Sequence, residues 1–320
     1  MTYHVLALDN VDKKAIELLE KTDGFKVTAG NLSREEVIKL LPDADAMVIR
    51  STTQADADLL SHATKLKAIA RAGVGVDNVD LEEATKRGIV VMNTPDGNTI
   101  ATAEYTLGMM LALARHIPAG HRSLDDNKWD RKSFMGVELR GKTLGIVGFG
   151  RIGRAVAKRA LAFEMTVLTY DPFIPAEVVR DLGAESVDLD DLYAQSDFIT
   201  LHSVITDSTK EMVNKASIAK MKKGVRIINA ARGALINDAD LAEALKSGHV
   251  AGVAADVFVV EPPPADHPLL HLPNVLHTPH LAASTSDAQI NVGIDAAQQI
   301  VDALTKGDFK NVCNPMVLAK

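Results

Sequence analysis

The sequence predicts an α/β protein with two doubly wound domains, each built on a parallel sheet covered by helices on both faces. Short apolar segments alternate with helical segments along almost all of the 320 residues, a pattern typical of strands joined by crossover helices. The alternation stops at the turn-rich segment 93–98 and resumes near residue 142. A chain of this length is sufficient for two full hydrophobic cores.

The first series of elements occupies residues 3–92. Apolar segments predict strands at 3–8, 46–50, 66–71 and 89–92. Asp9 or Asn10 is expected to cap the first helix, and Ser33 with Glu36 forms a capping box that opens the second helix. Two more helices are predicted at 56–63 and 81–87.

The segment 93–98 marks the expected domain crossing, because its Pro, Asp, Gly and Asn residues favour turns. The predicted domains are 1–97 with 284–320, for the substrate, and 98–283, for a nucleotide. In the second domain the patterns predict helices at 99–115 and 238–247 and strands at 144–147, 166–170, 197–202, 226–230, 250–255 and 275–277. A closing helix is predicted at 286–305.

Residues 116–140 are polar and poorly periodic, so we predict irregular structure there. They contain the single tryptophan, Trp129. An apolar aromatic residue in a charged segment is a candidate contact with another subunit, although it can also fold against its own domain. We expect the protein to be a homodimer and residues 98–140 to form the dimerisation arm.

A glycine-rich turn, Gly148-x-Gly150-x-x-Gly153, follows one predicted strand and opens a helix. The first glycine allows a tight turn, the second lets a pyrophosphate approach the backbone, and the third lets the helix pack against the strand. The phosphates would bind the N–H groups at the start of the helix. This context predicts a dinucleotide site.

The predicted strand 166–170 ends at Asp171. Its carboxylate can accept hydrogen bonds from a ribose diol, although an Asp-Pro pair also starts turns. Both roles can hold at once. Because a carboxylate disfavours a 2′-phosphate, the expected cofactor is NAD rather than NADP.

Composition and charge exclude several classes of protein. A net charge of −7 argues against general binding to nucleic acid or to an anionic membrane. The longest apolar stretch, at 107–114, is too short to span a bilayer. The single cysteine, Cys313, cannot form an internal disulfide, and no signal peptide is visible. We therefore expect a cytoplasmic protein.

Polar residues at the ends of later predicted strands are candidates for chemistry. Arg232 presents a fork of donors that suits a carboxylate, or it forms a structural ion pair. His280 can act as a general acid/base or be an ordinary satisfied polar residue. Glu261 is a plausible carboxylate to fix the tautomer of His280. Asp256 either contacts a nicotinamide carboxamide or caps a turn.

Clustered histidines raise the alternative of a metal site. Prolines 268 and 279 disrupt the helical spacing that a histidine pair usually needs, and no cysteine partner is near. We therefore predict no metal site. The histidines concerned are His267, His271, His277 and His280.

Six stretches of the sequence resemble the NAD-dependent D-2-hydroxyacid dehydrogenases. They occur in the family's order between residues 71 and 285, at 71–80, 93–98, 128–139, 229–233, 256–263 and 279–285. The resemblance implies a Rossmann-type nucleotide domain and a flavodoxin-like substrate domain. It also implies hydride transfer between NAD and a small anionic 2-hydroxy acid.

The resemblance further implies roles for single residues. Arg232 would hold the substrate carboxylate, His280 would exchange the proton, and Glu261 would orient His280. Besides the three glycines of the turn, the implied cofactor contacts are Val74, Arg151, Ile152, Asp171, Ser203, Ala230, Ala231, Arg232, Asp256, His280, Ala282 and Ala283. The implied substrate contacts are Arg50, Ser51, Arg71, Gly73, Asn98, Arg232 and His280.

The sequence departs from the family pattern at Ala282, Ala255, Glu164 and Val204, which bears on cofactor affinity and loop shape but leaves the catalytic trio intact. The C-terminal regulatory domains of longer relatives are not expected. Two other functions stay open. One is a reductase of glyoxylate or hydroxypyruvate, and the other is a non-catalytic NAD-binding protein similar to corepressors.

Overall fold

A computed structural model describes residues 2–319 of the chain. Contacts divide it into two units, Met1–Asn98 with Ala283–Lys320, and Thr99–Ala282. Each unit has its own parallel sheet and its own buried apolar residues. The predicted class, two doubly wound parallel-sheet domains, is confirmed.

The first unit contains a five-stranded sheet in the order β2-β1-β3-β4-β5, the order of flavodoxin-like folds. All neighbouring strands in it are parallel. The strands are β1 (Tyr3–Ala7), β2 (Phe25–Ala29), β3 (Ala46–Ile49), β4 (Ala68–Arg71) and β5 (Val90–Asn93). The helices between them are α1 (Lys13–Glu20), α2 (Arg34–Leu40), α3 (Ala57–Ser61) and α4 (Leu81–Lys86).

Two details of the first unit differ from the sequence predictions. Strand β2 was not predicted, because it is a half-exposed edge strand and has no continuous apolar run. The cap of α1 is Asp12, whose side chain accepts a hydrogen bond from the Lys14 amide at 2.8 Å, so the prediction of Asp9 or Asn10 was wrong. The capping box of Ser33 and Glu36 is confirmed.

The second unit contains a seven-stranded parallel sheet in the order β12-β11-β10-β9-β6-β7-β8. The chain starts in the middle at β6, builds outward to β8, then crosses back to β9 and builds outward to β12. A ligand in such a sheet lies outside the carboxyl ends of the strands, where the order reverses. The strands are β6 (Thr143–Val147), β7 (Thr166–Tyr170), β8 (Glu185–Ser186), β9 (Phe198–Leu201), β10 (Val225–Asn229), β11 (Val250–Ala255) and β12 (Val275–His277).

The helices of the second unit cover both faces of this sheet and contribute to its two apolar clusters. The longest is α5, in which eight residues are buried. They are α5 (Thr99–Ala114), α6 (Ile117–Asp125), α7 (Arg151–Ala162), α8 (Ala176–Asp181), α9 (Leu189–Gln195), α10 (Lys215–Ile218) and α11 (Asp238–Lys246).

Helix α6 corrects the prediction of irregular structure across residues 116–140. It begins after His116, which has a left-handed backbone with φ 54°, and it has a proline in its first turn. None of its residues is buried. A helix that buries nothing carries no core stripe from which its presence could be inferred.

The last helix, α12 (Ser286–Lys306), belongs to the first unit and packs against α1 and the sheet of that unit. Thr285 caps its start, and Gly307 ends it with φ 67°. Short 3₁₀ turns lie at Leu41–Asp43, Gly233–Leu235 and Pro315–Ala319. Within residues 2–319, none of the helices combines the length and apolar character required to cross a bilayer.

Candidate active site

The glycine-rich turn joins β6 to α7 and leaves the start of that helix open. Gly148 has φ 95°, and a Cβ there would lie 2.7 Å from the carbonyl of His202. A Cβ at Gly153 would collide with the carbonyl oxygen of Gly148. Gly150 is the N-cap of α7, makes no side-chain cap, and has no atom within 4 Å of where its Cβ would be. The space beside Gly150 at the start of α7 is therefore large enough for an anion to approach the first turn, at Arg151 and Ile152.

Asp171 follows β7 and holds this turn in place. One carboxylate oxygen accepts a hydrogen bond from the amide of Phe149 at 2.7 Å, and the other accepts from the amide of Phe173 at 2.9 Å. The turn-forming role is thus visible in the geometry. Each oxygen keeps lone-pair capacity for a ribose hydroxyl, because a carboxylate oxygen accepts more than one hydrogen bond.

His202 and Ser203 follow β9 beside the glycine-rich turn. The Ser203 hydroxyl donates to the carbonyl of Val147 at 3.3 Å. The ring of His202 contacts the hydroxyl of Thr200 at 3.0 Å, and desolvation lowers the pKa of His202 to about 4. This histidine is therefore neutral at neutral pH, and sequence analysis gave it no role.

Arg232 lies in the turn after β10, half-buried. The carboxamide of Asn229, which is 1% exposed, donates to the carbonyl of Arg232 at 2.9 Å and accepts from the amide of Ala231 at 3.1 Å. Nη1 of Arg232 donates to the carbonyl of Ala231 at 2.8 Å. The buried Asn229 thus fixes the turn Ala230–Arg232 through its backbone groups. The sequence pattern alone did not identify this role.

The structure brings His280 and Glu261 together. Nδ1 of His280 lies 2.7 Å from Oε2 of Glu261, and the side chains are 51% and 38% exposed. The amide of Phe258 donates to the other carboxylate oxygen, Oε1, at 3.0 Å. Because an ionised carboxylate only accepts, Nδ1 carries the hydrogen, and Nε2 of the neutral ring is available to exchange a proton.

Asp256 is fully buried beneath the segment that carries His280. Oδ1 accepts from the Thr278 hydroxyl at 2.6 Å and from the Leu281 amide at 2.8 Å, and Oδ2 accepts from the Ala282 amide at 2.8 Å. Its carbonyl accepts from the His280 amide at 2.8 Å. Of the two predicted roles, this geometry favours the turn-capping one, since the carboxylate faces the loop and not the surface.

His280 itself has a left-handed backbone, with φ 54°. A residue other than glycine in that conformation costs about 1–3 kcal/mol and persists only where its surroundings over-determine it. The contacts from Asp256 to both sides of His280 provide that restraint. The position of the imidazole is therefore set by a buried anchor rather than by the exposed loop alone.

The predicted substrate residues Arg50, Ser51, Arg71 and Gly73 lie in the first unit, at the carboxyl ends of β3 and β4, which are neighbours in the sheet. Gly73 has φ 146°, and the guanidinium of Arg71 occupies the space that a Cβ there would need. The amide of Gly73 donates to the Thr94 hydroxyl at 2.7 Å.

The remaining predicted contacts of this unit are Val74, Asn98 and Ala283. Val74 follows Gly73, and its carbonyl accepts from the Asn93 carboxamide at 2.6 Å. Asn98 and Ala283 are the residues of this unit at the two crossings of the chain. Thr94 and Asn93 thus fix the Gly73–Val74 loop, and sequence analysis assigned them only to a turn.

Asp9 is a further residue whose role was missed. It is 7% exposed, and its carboxylate accepts hydrogen bonds from the amides of Arg50 and Thr53, at 2.8 and 3.0 Å, and from the Thr53 hydroxyl at 2.7 Å. Its position directly after an apolar strand was the available signal. That position suits a helix cap equally well, so the sequence could not distinguish the two roles.

Among the described residues 2–319, no group of three His, Cys, Asp or Glu side chains could hold a metal ion. His267 lies 3.0 Å from Asp238, and His280 is paired with Glu261.

A family model for the D-isomer specific 2-hydroxyacid dehydrogenase, NAD binding domain, matches residues 107–282. The chain belongs to the D-isomer specific 2-hydroxyacid dehydrogenase family. The match covers most of the unit Thr99–Ala282, so this unit is the NAD-binding domain and NAD is its cofactor. The open start of α7 fits the pyrophosphate of NAD, and Asp171 fits its ribose.

Similar proteins carry several names within this family. The D-3-phosphoglycerate dehydrogenase of Archaeoglobus fulgidus is 49% identical over 97% of this chain and 59% of its own length. The hydroxypyruvate reductase of Thermotoga maritima is 47% identical over 94% of this chain and 98% of its own length. The chain therefore spans about three fifths of the first relative and nearly all of the second.

Solved structures show the same likeness. The NAD-dependent formate dehydrogenase of Staphylococcus aureus, in complex with NAD, has a TM-score of 0.84 and 32% identity, covering 96% of this chain and 97% of that one. Likeness over nearly the full length of both chains supports the two-unit architecture as well as the family.

Proposed function

We propose that this chain oxidises 3-phospho-D-glycerate to 3-phosphohydroxypyruvate with NAD, the first step of phosphorylated L-serine biosynthesis. The observation that carries the proposal is the 2.7 Å contact of His280 with Glu261, in a chain that is 45–49% identical to several D-3-phosphoglycerate dehydrogenases over 97–98% of its length. The contact between His280 and Glu261 supports the acid/base role, and the sequence similarity to these dehydrogenases supports the choice of substrate.

The chain's own residues have three tasks in this reaction. Arg232 binds the substrate carboxylate with its fork of donors and polarises the C2 oxygen. Nε2 of His280 takes the proton from the C2 hydroxyl, and Glu261 stabilises the imidazolium that forms. NAD, when bound, supplies the hydride acceptor.

We assign the binding of the cofactor to the following residues. In the second unit we assign its binding to the turn Gly148–Gly153, to Asp171 and Ser203, to Ala230 and Ala231, and to Ala282. In the first unit we assign it to Val74 and Ala283. Asp256 acts on the cofactor through the loop that it anchors.

The phosphate of the substrate would bind Arg50 and Arg71, assisted by Ser51, Gly73 and Asn98. Arg50 and Arg71 lie at the ends of neighbouring strands. Two guanidinium groups can oppose the two charges of a phosphate. The local charge is then opposite in sign to the net charge of the whole chain, which is −7.

The deciding experiment measures NADH formation by the purified chain with 3-phospho-D-glycerate and with unphosphorylated D-glycerate, and repeats it for Arg71→Ala. We expect a higher kcat/KM for the phosphorylated acid. In Arg71→Ala, KM should rise far more for the phosphorylated acid than for the unphosphorylated one. An equal rise for both substrates would contradict the assignment of the phosphate to Arg71.

The second candidate is a hydroxypyruvate or glyoxylate reductase. It is favoured by the Thermotoga maritima hydroxypyruvate reductase, of which this chain covers 98%. In the same assay, rapid NADH oxidation with hydroxypyruvate and no turnover of 3-phosphoglycerate would select this function. A corepressor-like binding protein would turn over neither substrate.

We further propose that the protein is a cytoplasmic homodimer whose interface includes the arm 98–140. The support is a set of exposed apolar side chains along the arm. Trp129 is 79% exposed and Met135 is 82% exposed, so neither folds against its own unit. Ile117 and Leu124 of α6 are exposed as well.

A further inference from the structure

A second histidine–carboxylate contact lies in the same unit as His280 and Glu261. Nε2 of His267 lies 3.0 Å from Oδ2 of Asp238, and the two side chains are only 9% and 19% exposed. The comparable contact of His121 with Asp125 is 3.3 Å long and 75% and 65% exposed. Burying a polar pair costs free energy unless its groups form hydrogen bonds. The contacts of His267 therefore show how this buried pair is stabilised.

Both ring nitrogens of His267 are occupied. Nδ1 accepts a hydrogen bond from the amide of Leu269 at 3.4 Å, and Nε2 faces Asp238. A neutral imidazole offers one acceptor and one donor, so the neutral ring satisfies both contacts. Burial raises the pKa of Asp238, the neighbouring Glu211 raises it further, and His267 opposes both. The contacts on its two nitrogens hold the imidazole of His267 in one orientation.

The ring of His267 packs against the ring of Phe258 in a T-shaped arrangement. The two ring centroids lie 5.2 Å apart, with an interplanar angle of 88°. The backbone of Phe258 and Val259 passes so close to Gly233 that a Cβ at Gly233 would collide with it. The segment at Phe258 is therefore fixed on its ring side by His267 and on its backbone side by the turn that follows Arg232.

Phe258 connects this packing to the proposed proton-exchange site. Its amide donates to Oε1 of Glu261 at 3.0 Å, which leaves Oε2 facing Nδ1 of His280 at 2.7 Å. The side chain of Glu261 is 38% exposed, so its carboxylate lies partly in solvent. The amide of Phe258 restrains the second carboxylate oxygen, Oε1, with a hydrogen bond of 3.0 Å.

We propose that Asp238 and His267 are positioning residues for the His280–Glu261 pair. They fix the imidazole of His267, the imidazole holds Phe258, and the amide of Phe258 orients the carboxylate of Glu261. The effect on turnover rests on the proposed function, whereas the effect on the His280–Glu261 hydrogen bond does not.

The kinetic test compares two variants at one position. Asp238→Leu removes the acceptor, whereas Asp238→Asn keeps an oxygen that accepts from His267. We expect kcat to fall about tenfold in Asp238→Leu, a fraction of the 10²–10⁴-fold that a general base supplies. In Asp238→Asn it should stay within about twofold of the original, and the Kd for NAD should not change in either variant.

Two further variants separate positioning from general destabilisation. In a Glu261→Gln background, Asp238→Leu should have no additional effect on kcat, because the carboxylate that it orients is gone. His249→Leu is the control, since this half-buried histidine lies directly before β11 and its ring contacts the carbonyl of Met221 at 3.2 Å. It should leave kcat unchanged. An additive loss in the double variant would overturn the proposal.

An NMR measurement tests the geometry without turnover. The Nδ1 proton of His280, assigned by its loss in His280→Asn, should be observed in the original chain and in Asp238→Asn. It should shift or broaden in Asp238→Leu and in His267→Leu. An unchanged resonance in folded Asp238→Leu would overturn the positioning role, and this comparison decides the matter even where His267→Leu does not fold. A changed resonance without turnover of any 2-hydroxy acid would uphold positioning and reject the proposed function.

Discussion

At the scale of single residues, His280 combines a left-handed backbone conformation with the proposed role of general base. Its φ of 54° is tolerated better by asparagine than by most side chains. His280→Asn should therefore keep the fold and the affinity for NAD while removing the group that we propose as the general base. We expect kcat to fall by about 10²–10⁴-fold, measured by steady-state NADH formation, with Kd for NAD measured by calorimetry.

The outcome that would contradict this role is a variant that retains most of its turnover. His249→Asn is a suitable control, because it replaces another histidine of the same unit. His249 is half-buried and directly precedes β11, whereas Asp256, which anchors the loop of His280, directly follows that strand. Its activity should match that of the original chain.

His202 predicts a pH dependence of stability. Desolvation lowers its pKa to about 4 in the folded state, below the value of about 6.5 for an unfolded histidine. Between these values the unfolded chain binds more protons, so this residue makes the free energy of unfolding decrease as the pH falls from about 6.5 towards 4. Above pH 6.5 both states are neutral and the effect is absent.

Denaturant unfolding at pH 4.5 and at pH 7 measures this effect. The difference in the free energy of unfolding between the two pH values should be smaller in His202→Gln than in the original chain. The other titrating groups contribute equally to both proteins and cancel in the comparison. An identical difference would show that His202 is not held neutral by the fold.

At the scale of elements, the loop after β4 predicts how substrate affinity depends on one glycine. A side chain at Gly73 would need the space that the Arg71 guanidinium occupies, at a φ of 146° that disfavours any side chain. Gly73→Ala should displace Arg71. If Arg71 binds the phosphate as proposed, KM for 3-phospho-D-glycerate should rise roughly 10- to 100-fold, the effect of losing a charge-assisted hydrogen bond.

Gly88→Ala is the matched control for strain. Gly88 also has a positive φ, 75°, but no atom lies within 4 Å of where its Cβ would be. This variant should lose stability without a change in KM. If both variants raised KM equally, the effect would come from general strain and not from Arg71.

The elements also show where sequence reasoning succeeds. Helices and strands with an apolar stripe or run were predicted within a few residues, as for α12 and β6, because burial of one face dictates the residue pattern. Strand β2 and helix α6 were missed because they bury little. Asp9 and Asp256 are different: their positions were noticed, but their partners are distant in sequence.

At the scale of the whole molecule, the exposed apolar side chains of the arm 98–140 predict an oligomeric state. Replacing Trp129 by glutamate should weaken dimerisation by about 30-fold or more, the effect of removing a large aromatic residue from an interface centre. Light scattering after size-exclusion chromatography measures this change over a range of concentrations. Met316→Glu is the control, since Met316 is 72% exposed but lies outside the arm.

A chain that is monomeric before substitution would reject the homodimer, and a Trp129→Glu dimer of unchanged affinity would reject the arm as its interface. The parallel sheets, by contrast, were predictable, because regular alternation of strands and helices admits few topologies. An interface carries no such regularity. The sequence signal for the proposed interface was Trp129, an apolar residue in a polar segment.

The anchoring of residues 278–282 by Asp256 has a consequence for the local dynamics of the chain. No helix or strand includes the amides of Leu281 and Ala282, and in most proteins such amides exchange with deuterium rapidly. Here a carboxylate with no exposed surface accepts both of them. Their exchange should be as slow as in a central strand, and Asp256→Asn should accelerate it, whether or not any ligand is bound.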